Sequence, residues 1–147
     1  MSKTKPIPDG YTAVTPYLIV EDAAGFLEFL ANAFGAVERT RMPMGEGLIG
    51  HAEVEIGGAA VMLSDALPPD FPATSSQMHL YVEDVDAVYA QAVNAGAAAA
   101  AEPEDQFYGD RVARVVDPSG NRWFIASHIE DVEMDELMRR IAAMGEE

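Results

Sequence analysis

The chain has 147 residues, 49% of them hydrophobic, and its nine basic and 25 acidic residues give a formal net charge of −16 at pH 7. So large a negative charge repels nucleic-acid phosphates, which excludes nucleic acid as an expected partner. The absence of cysteine excludes disulfides and thiolate metal ligands, and no stretch approaches the roughly 20 apolar residues of a membrane span. We therefore expect one domain over residues 1–147 that is cytoplasmic and has no membrane partner.

The sequence contains an internal repeat. The hexapeptide "YLIVED" at residues 17–22 returns 62 positions later as "HLYVED" at residues 79–84. At the same offset Asn32 and Ala33 match Asn94 and Ala95. The repeat predicts two modules of similar structure.

In the first module, about residues 12–66, the apolar period changes from that of a strand to that of a helix. Thr15–Val20 alternates as a strand does, and Asp22 is placed to cap a helix that ends at Gly35. The apolar stripe of this helix comprises Phe26, Leu27, Leu30 and Phe34. Three more strands, separated by glycine-containing turns, are predicted at residues 37–42, 48–56 and 60–64. The element order is βαβββ.

The second module, about residues 77–129, repeats this order after a linker at residues 67–76 whose three prolines exclude a central strand. Asp84 caps the second helix, and strands follow at residues 98–102, 111–116 and 122–127. The first of these is expected at a sheet edge, because Gly96 and Pro103 bracket its alanine run. A C-terminal helix over residues 131–144 has an apolar stripe that needs a covering surface, formed by Met134, Leu137, Met138, Ile141 and Met144.

Several segments carry a family resemblance: "PIPDGYTAVTPYLIVEDA", "RMPMGEGLIGHAEVEIGG", "VMLSDA", "HLYVEDVDAV", "EDQFYGDR" and "DPSGNRWFIASHIEDV". Through them the chain resembles the vicinal oxygen chelate (glyoxalase/bleomycin resistance protein/dioxygenase) superfamily, and most closely its PhnB-like branch. The resemblance implies an α+β fold in which two βαβββ modules form a curved eight-stranded mixed sheet, with helices on the convex side and a cleft on the concave side. The C-terminal helix is added to that fold.

The same resemblance implies where a metal would bind. The four ligand positions of the superfamily fall on Thr15, Met62, Gln77 and Phe124. A thioether and a phenyl ring cannot replace imidazole or carboxylate ligands. We therefore expect no metal at the usual position and no cofactor.

Strand alternation predicts which side chains line the cleft. If the apolar residues beside them face the helices, Tyr17 and His79 occupy equivalent cleft-facing positions, and His51, Glu53 and Arg114 join them. Tyr108 and Arg111 of "FYGDR" are expected on a loop at the mouth of the cleft. The full set of expected ligand-binding residues is Thr15, Tyr17, His51, Glu53, Met62, Ser64, Gln77, His79, Tyr108, Arg111, Arg114 and Phe124. Glu53 and Arg114 are alternatively an ion pair across the sheet, and Trp123 is expected to pack under the second helix.

Three functions fit this pattern. The first is a binding protein for a small organic molecule, aromatic or cationic, that works without the superfamily metal. The second is a metal-free isomerase, cyclase or lyase, with His79 or Glu53 as the base and Tyr17 or Arg114 at the substrate oxygen. The third is a metalloenzyme with the displaced ligands His51, Glu53 and His79. Because a half-open sheet leaves an unpaired edge, we also expect a homodimer.

Overall fold

A computed structural model describes residues 4–146; residues 1–3 and 147, at the ends of the expected domain, lie outside the described part. The first module contains β1 (Tyr17–Val20), α1 (Ala23–Phe34), β2 (Val37–Gly45), β3 (Leu48–Ile56) and β4 (Ala59–Asp65). The second contains β5 (Gln77–Tyr81), α2 (Val85–Asn94), β6 (Ala98–Asp105), β7 (Asp110–Val116) and β8 (Arg122–His128). The C-terminal helix is α3 (Met134–Met144).

The strands form two four-stranded mixed sheets with the same topology. Their orders are β1-β4-β3-β2 and β5-β8-β7-β6. The first strand of each module pairs in parallel with the last, and the other pairs are antiparallel. The predicted α+β fold, with two βαβββ modules and a C-terminal helix, is confirmed. The strand β6 is an edge strand, as expected, and it runs past Pro103 to Asp105 because an irregularity in its pairing lies between Ala101 and Glu104.

The helix of each module begins at the aspartate that the sequence indicates. The Asp22 carboxylate accepts a hydrogen bond from the Gly25 amide, and the Asp84 carboxylate accepts one from the Ala87 amide, both at 3.1 Å. Gly35 ends α1 with a φ of 69°, in the left-handed region that favours glycine.

A second contact ties each helix to the last strand of its own module. The buried Asp65 carboxylate accepts hydrogen bonds from the Ala23 amide at 2.9 Å and from the Ile49 amide at 2.7 Å. In the second module the Ser127 hydroxyl accepts one from the Val85 amide at 3.1 Å. Otherwise unpaired amides at both helix N-termini are thereby satisfied, and the helix-to-sheet geometry is fixed in both copies.

A continuous hydrophobic core joins the two modules. The two helices pack against each other, and the Gln91 amide of α2 donates a hydrogen bond to the Ala33 carbonyl of α1 at 3.0 Å. Trp123 of β8 is only 2% exposed, and its ring centroid lies 4.5 Å from that of Phe34. Trp123 therefore lies on the helix side of its sheet, as predicted, and also contacts the end of the first helix.

The C-terminal helix α3 is held by polar contacts. Arg140 binds the Glu130 carboxylate at 2.9 Å and donates a hydrogen bond to the Phe107 carbonyl, also at 2.9 Å. Four of the five predicted stripe residues are exposed, namely Met134, Met138, Ile141 and Met144. In residues 4–146, no helix has the length and apolar character needed to cross a membrane.

We predict that Trp123→Phe lowers the free energy of unfolding by about 2–4 kcal/mol. The Trp123 indole N–H donates to the buried Asp117 carboxylate at 2.8 Å, and phenylalanine would leave that oxygen without its partner while opening space beside Phe34. Urea unfolding measures the change. Tyr108→Phe, at a partly exposed ring, is the matched control and should change stability by less than about 0.5 kcal/mol. Equal effects of the two substitutions would contradict this account of the core.

Candidate functional site

The first sheet carries a chain of polar side chains on its helix-free face, the face opposite α1. Tyr17, His51 and Glu53 all project there, because their strand neighbours Leu18, Ala52 and Val54 are buried against the helix. The Tyr17 hydroxyl lies 3.0 Å from His51 Nδ1, and His51 Nε2 lies 2.9 Å from Glu53 Oε1.

Tyr11 extends this chain from the segment before β1. Its hydroxyl donates a hydrogen bond to Glu53 Oε2. The pKa of Glu53 is held below its usual value, mainly by the hydrogen bond from His51 and then by the one from Tyr11. The same bond to Glu53 raises the pKa of Tyr11. The four side chains, in the order Tyr11, Glu53, His51 and Tyr17, form what we call the relay.

Two cavities adjoin the relay. One, of about 510 Å³, is lined by Tyr17, Ser64 and the apolar side chains of Ile19, Leu67 and Phe71, together with Gly50. The other, of about 420 Å³, contains Thr15, Met62, Tyr11 and Glu53 among its lining residues. Thr15 precedes β1, where its hydroxyl lies 3.4 Å from the Thr12 carbonyl.

The helix-free face of the second sheet carries aromatic and basic side chains, and Glu102 and Glu104 line a cavity beside Arg114. His79 lies 6.0 Å from Phe124 and 4.9 Å from Tyr81, measured between ring centroids. The Arg114 guanidinium carbon lies 5.8 Å from the centroid of Phe124. A cavity of about 350 Å³ is lined by Gln77, Arg114, Arg122 and Phe124 with three residues of β6 and β7. Arg114, Phe124 and Tyr108 reach a neighbouring cavity of about 330 Å³.

The two sheets do not share one site within the chain. In the described part of the chain, no strand of the first sheet contacts a strand of the second. Tyr17, His51, Glu53, Met62 and Ser64 therefore lie together on the first sheet. Gln77, His79, Arg114 and Phe124 lie together on the second. An ion pair between Glu53 and Arg114 within the chain is excluded by this separation.

Arg111 differs from its expected place. It lies in β7 and not on a loop, and its side chain follows the helix-side parity of Ala113 and Val115. Its guanidinium binds Asp86 of α2 at 2.9 Å and Asp105 at 2.9 Å. These carboxylates occupy the donors that a ligand would need, so Arg111 supports the fold and does not line either helix-free face. Next to Tyr108, Gly109 has a φ of 102° and approaches the Glu130 carbonyl too closely for any side chain.

A cluster around Asp110 was not expected from the sequence. Asp110 is 4% exposed and accepts hydrogen bonds from the Tyr81 hydroxyl at 2.7 Å and from His128 Nδ1 at 2.8 Å. His128 Nε2 lies 2.8 Å from Asp131. Burial raises the pKa of Asp110, but the bonds from His128 and Tyr81 outweigh it and the net pKa is lowered. The sequence feature that could have indicated this cluster is the position of Asp110, which lies at the start of β7 and on the same face as Arg114.

The metal of the superfamily does not fit the residues at its positions. Met62 lies opposite Tyr17, Phe124 lies opposite His79, and neither has a donor for a divalent ion. The alternative set also fails within one chain, because His51 and Glu53 are adjacent while His79 is on the other sheet. Between residues 4 and 146, no group of three or more histidine, aspartate or glutamate side chains is placed to share a metal ion.

Two consecutive βαβββ modules, each a four-stranded sheet with a helix on one face, define a paired-module α+β protein. Residues 10–125 match the family model described as the Glyoxalase/Bleomycin resistance protein/Dioxygenase superfamily. The chain belongs to this superfamily.

The chain is also similar to individual proteins and to solved structures. Two uncharacterized mycobacterial proteins are each 38% identical to this chain over 144 residues, which cover 91% of it. The match covers 85% of Rv0887c of Mycobacterium tuberculosis and 95% of Mb0911c of Mycobacterium bovis. Among solved structures, TioX from Micromonospora sp. ML1 is 27% identical, with a TM-score of 0.69 over 80% of this chain and 99% of its own. A family member from Nocardioides is 20% identical, with a TM-score of 0.63 over 90% of each chain, and shows the shared fold.

We predict that His128→Gln destabilises the protein more at pH 5.5 than at pH 9. Hydrogen bonds to Asp110 and then to Asp131 raise the pKa of folded His128. The stabilisation by its charged form is therefore complete below the unfolded value of about 6.5 and is lost as pH rises through the raised folded value. Urea unfolding of both proteins at each pH measures the difference.

The same measurement has an internal control. Asp131→Asn removes the exposed partner but keeps the contact with Asp110, so it should retain part of the pH dependence. Because His128 is half exposed, 1 M salt should also weaken the effect. An equal loss of stability at both pH values would show that the charge of His128 contributes nothing.

Proposed function

We propose that the protein binds a small planar organic anion on the helix-free face of the second sheet. The observation that carries the proposal is the position of two unpaired arginines. Of the eight basic side chains in residues 4–146, six lie within 4 Å of a carboxylate, and the other two are Arg114 and Arg122. Both line the same cavity.

The charge of the chain makes this pairing pattern informative. With 25 acidic against nine basic residues, carboxylates are abundant, yet none is bound to these two guanidinium groups in the described residues. Arg114 pairs across the strands with Phe124, and Arg122 lies two residues before Phe124 on the same face. The Cβ atoms of Arg114 and Arg122 are therefore roughly 7–8 Å apart. Two guanidinium groups at that spacing suit a carboxylate or a similar anion.

The aromatic side chains supply the rest of the recognition surface. Phe124 and His79 are nearly parallel, at 23°, and offer flat apolar surface beside the arginines. A ligand with a planar body and one anionic group would contact both. The chemistry of this face thus favours an anion over the cationic ligand that the overall acidity of the chain suggests.

A homodimer belongs to the same proposal. The chain exposes 9298 Å² of surface, whereas a compact monomer of 15.8 kDa exposes about 7300 Å². Large hydrophobic residues are exposed on both helix-free faces, among them Tyr17 at 44% and Tyr81 at 59%. The difference between the exposed area and the area expected for a compact monomer is larger than the roughly 800 Å² that each partner buries in a standard interface. We propose that the first sheet of one copy faces the second sheet of the other, which would enclose the ligand between them.

Two finer assignments rest on sequence alone. The motifs around "HLYVED" and "DPSGNRWF" favour the PhnB-like branch of the superfamily. A cytoplasmic location is the expectation from the composition of the chain. Both are part of the proposal.

The anion site is tested by isothermal titration calorimetry with cinnamate, a planar carboxylate, and with cinnamamide, its uncharged counterpart. We predict that Arg114→Gln and Arg122→Gln each weaken cinnamate binding at least tenfold, or about 1.4 kcal/mol, and change cinnamamide binding by no more than a few fold. Arg139→Gln, at a paired surface arginine, is the matched control and should leave both affinities unchanged. If the wild-type protein binds the amide as tightly as the acid, the proposal is wrong.

The assembly is tested by light scattering at micromolar concentration. We predict a mass twice the 15.8 kDa of the chain. Tyr81→Arg, which adds a charge to an exposed aromatic position on the second sheet, should shift the equilibrium towards monomer, whereas Glu28→Arg on the exposed side of α1 should not. A wild-type mass of 15.8 kDa would refute the dimer.

A further inference from the structure

We propose that the relay on the first sheet is an acid–base centre, in which His51 exchanges a proton with a small apolar carbonyl compound through the hydroxyl of Tyr17. This activity goes beyond anion binding, and its residues lie on the other sheet. Tyr17 is 44% exposed and lines the cavity of about 510 Å³, so its oxygen is accessible to a ligand there. The other walls of that cavity are largely apolar, which suits an uncharged planar ketone.

The hydrogen bonds fix the direction of proton movement. Glu53 is ionised and accepts bonds only, so His51 Nε2, at 2.9 Å, must donate to it. A neutral imidazole that is protonated at Nε2 has a lone pair at Nδ1, which accepts the Tyr17 hydroxyl proton at 3.0 Å. The remaining lone pairs of the Tyr17 oxygen are then free to accept a proton from a ligand.

The proposed step balances without any other reactant. A C–H bond beside the carbonyl breaks, its proton goes to the Tyr17 oxygen, and the Tyr17 proton passes to His51 Nδ1. The electron pair remains on the ligand as an enolate, and the new imidazolium faces the Glu53 carboxylate. The reverse step returns a proton to the same or another carbon, so the outcome is isomerisation or isotope exchange.

Glu53 and Tyr11 act as positioning residues in this scheme. Glu53 holds the tautomer of His51, and Tyr11 holds Glu53 from the segment before β1. The Arg39 cation supports the relay from outside, because it binds Glu55 at 2.7 Å and its guanidinium carbon lies 5.5 Å from the centroid of the Tyr11 ring. His79, the other candidate base, lies on the second sheet and is not part of the relay within one chain.

The test uses 2-indanone in D₂O, with loss of its α-proton signals followed by proton NMR. We expect the wild-type protein to accelerate exchange above the buffer rate. Tyr17→Phe and His51→Gln should each reduce the protein-dependent rate by roughly 10²–10⁴-fold. His128→Gln, a matched histidine substitution on the second sheet and away from the relay, should leave the rate unchanged. Circular dichroism and thermal unfolding of the same samples separate loss of function from loss of fold.

A second measurement needs no ligand. In ¹⁵N-histidine-labelled protein above pH 7, long-range NMR correlations should show His51 protonated at Nε2, and Glu53→Gln should shift it towards a mixture of tautomers. Absence of protein-dependent exchange, exchange that persists in both relay variants, or His51 protonated at Nδ1 in the wild type would each overturn the proposal. Cinnamate binding is measured separately, so failure here leaves the anion site standing, and failure there leaves the relay standing.

Discussion

Each sheet of this protein is covered by a helix on one face only, and the rest of its structure depends on that constraint. The covered faces supply a continuous core, in which Leu18, Val54 and Ile125 are almost fully buried. The residues of opposite parity, on the helix-free faces, are not needed to complete the core. They can therefore carry hydroxyl, imidazole, carboxylate and guanidinium groups. The uncovered faces also expose large aromatic side chains, such as Tyr17 and Tyr81.

Local features were predictable from the sequence because they depend on neighbours in the chain. Asp22 and Asp84 cap their helices, Gly35 ends one of them, and strand parity separates Leu18 from Tyr17 as expected. The element order of both modules was predictable from the change of apolar period and the turns, whereas the sheet architecture was implied by the family resemblance. Parity further placed Tyr17, His51 and Glu53 on one face, so three of the four relay residues were predictable as a group.

Long-range placement was not predictable in the same way. Tyr11 meets Glu53 across 42 positions of the chain, and no local pattern indicates where an irregular segment will cross a sheet. Arg111 was expected at the mouth of the cleft although the predicted strand at residues 111–116 includes it, and the parity of that strand turns it towards Asp86 of α2. The separation of the two faces depends on how the two modules pack through α1 and α2. A sequence repeat is compatible both with one shared cleft and with two separate faces.

The internal repeat places different side chains at equivalent positions of the two sheets. Glu53 pairs with Met62 across the first sheet, and Arg114 pairs with Phe124 across the second, so an acid and a base occupy equivalent positions. Tyr17 and His79 are likewise equivalent, opposite Met62 and Phe124 respectively. None of these substitutions disturbs the core, because all of them lie on helix-free faces. Divergence of the two modules could therefore produce a proton relay on one sheet and an anion-binding surface on the other at little cost in stability.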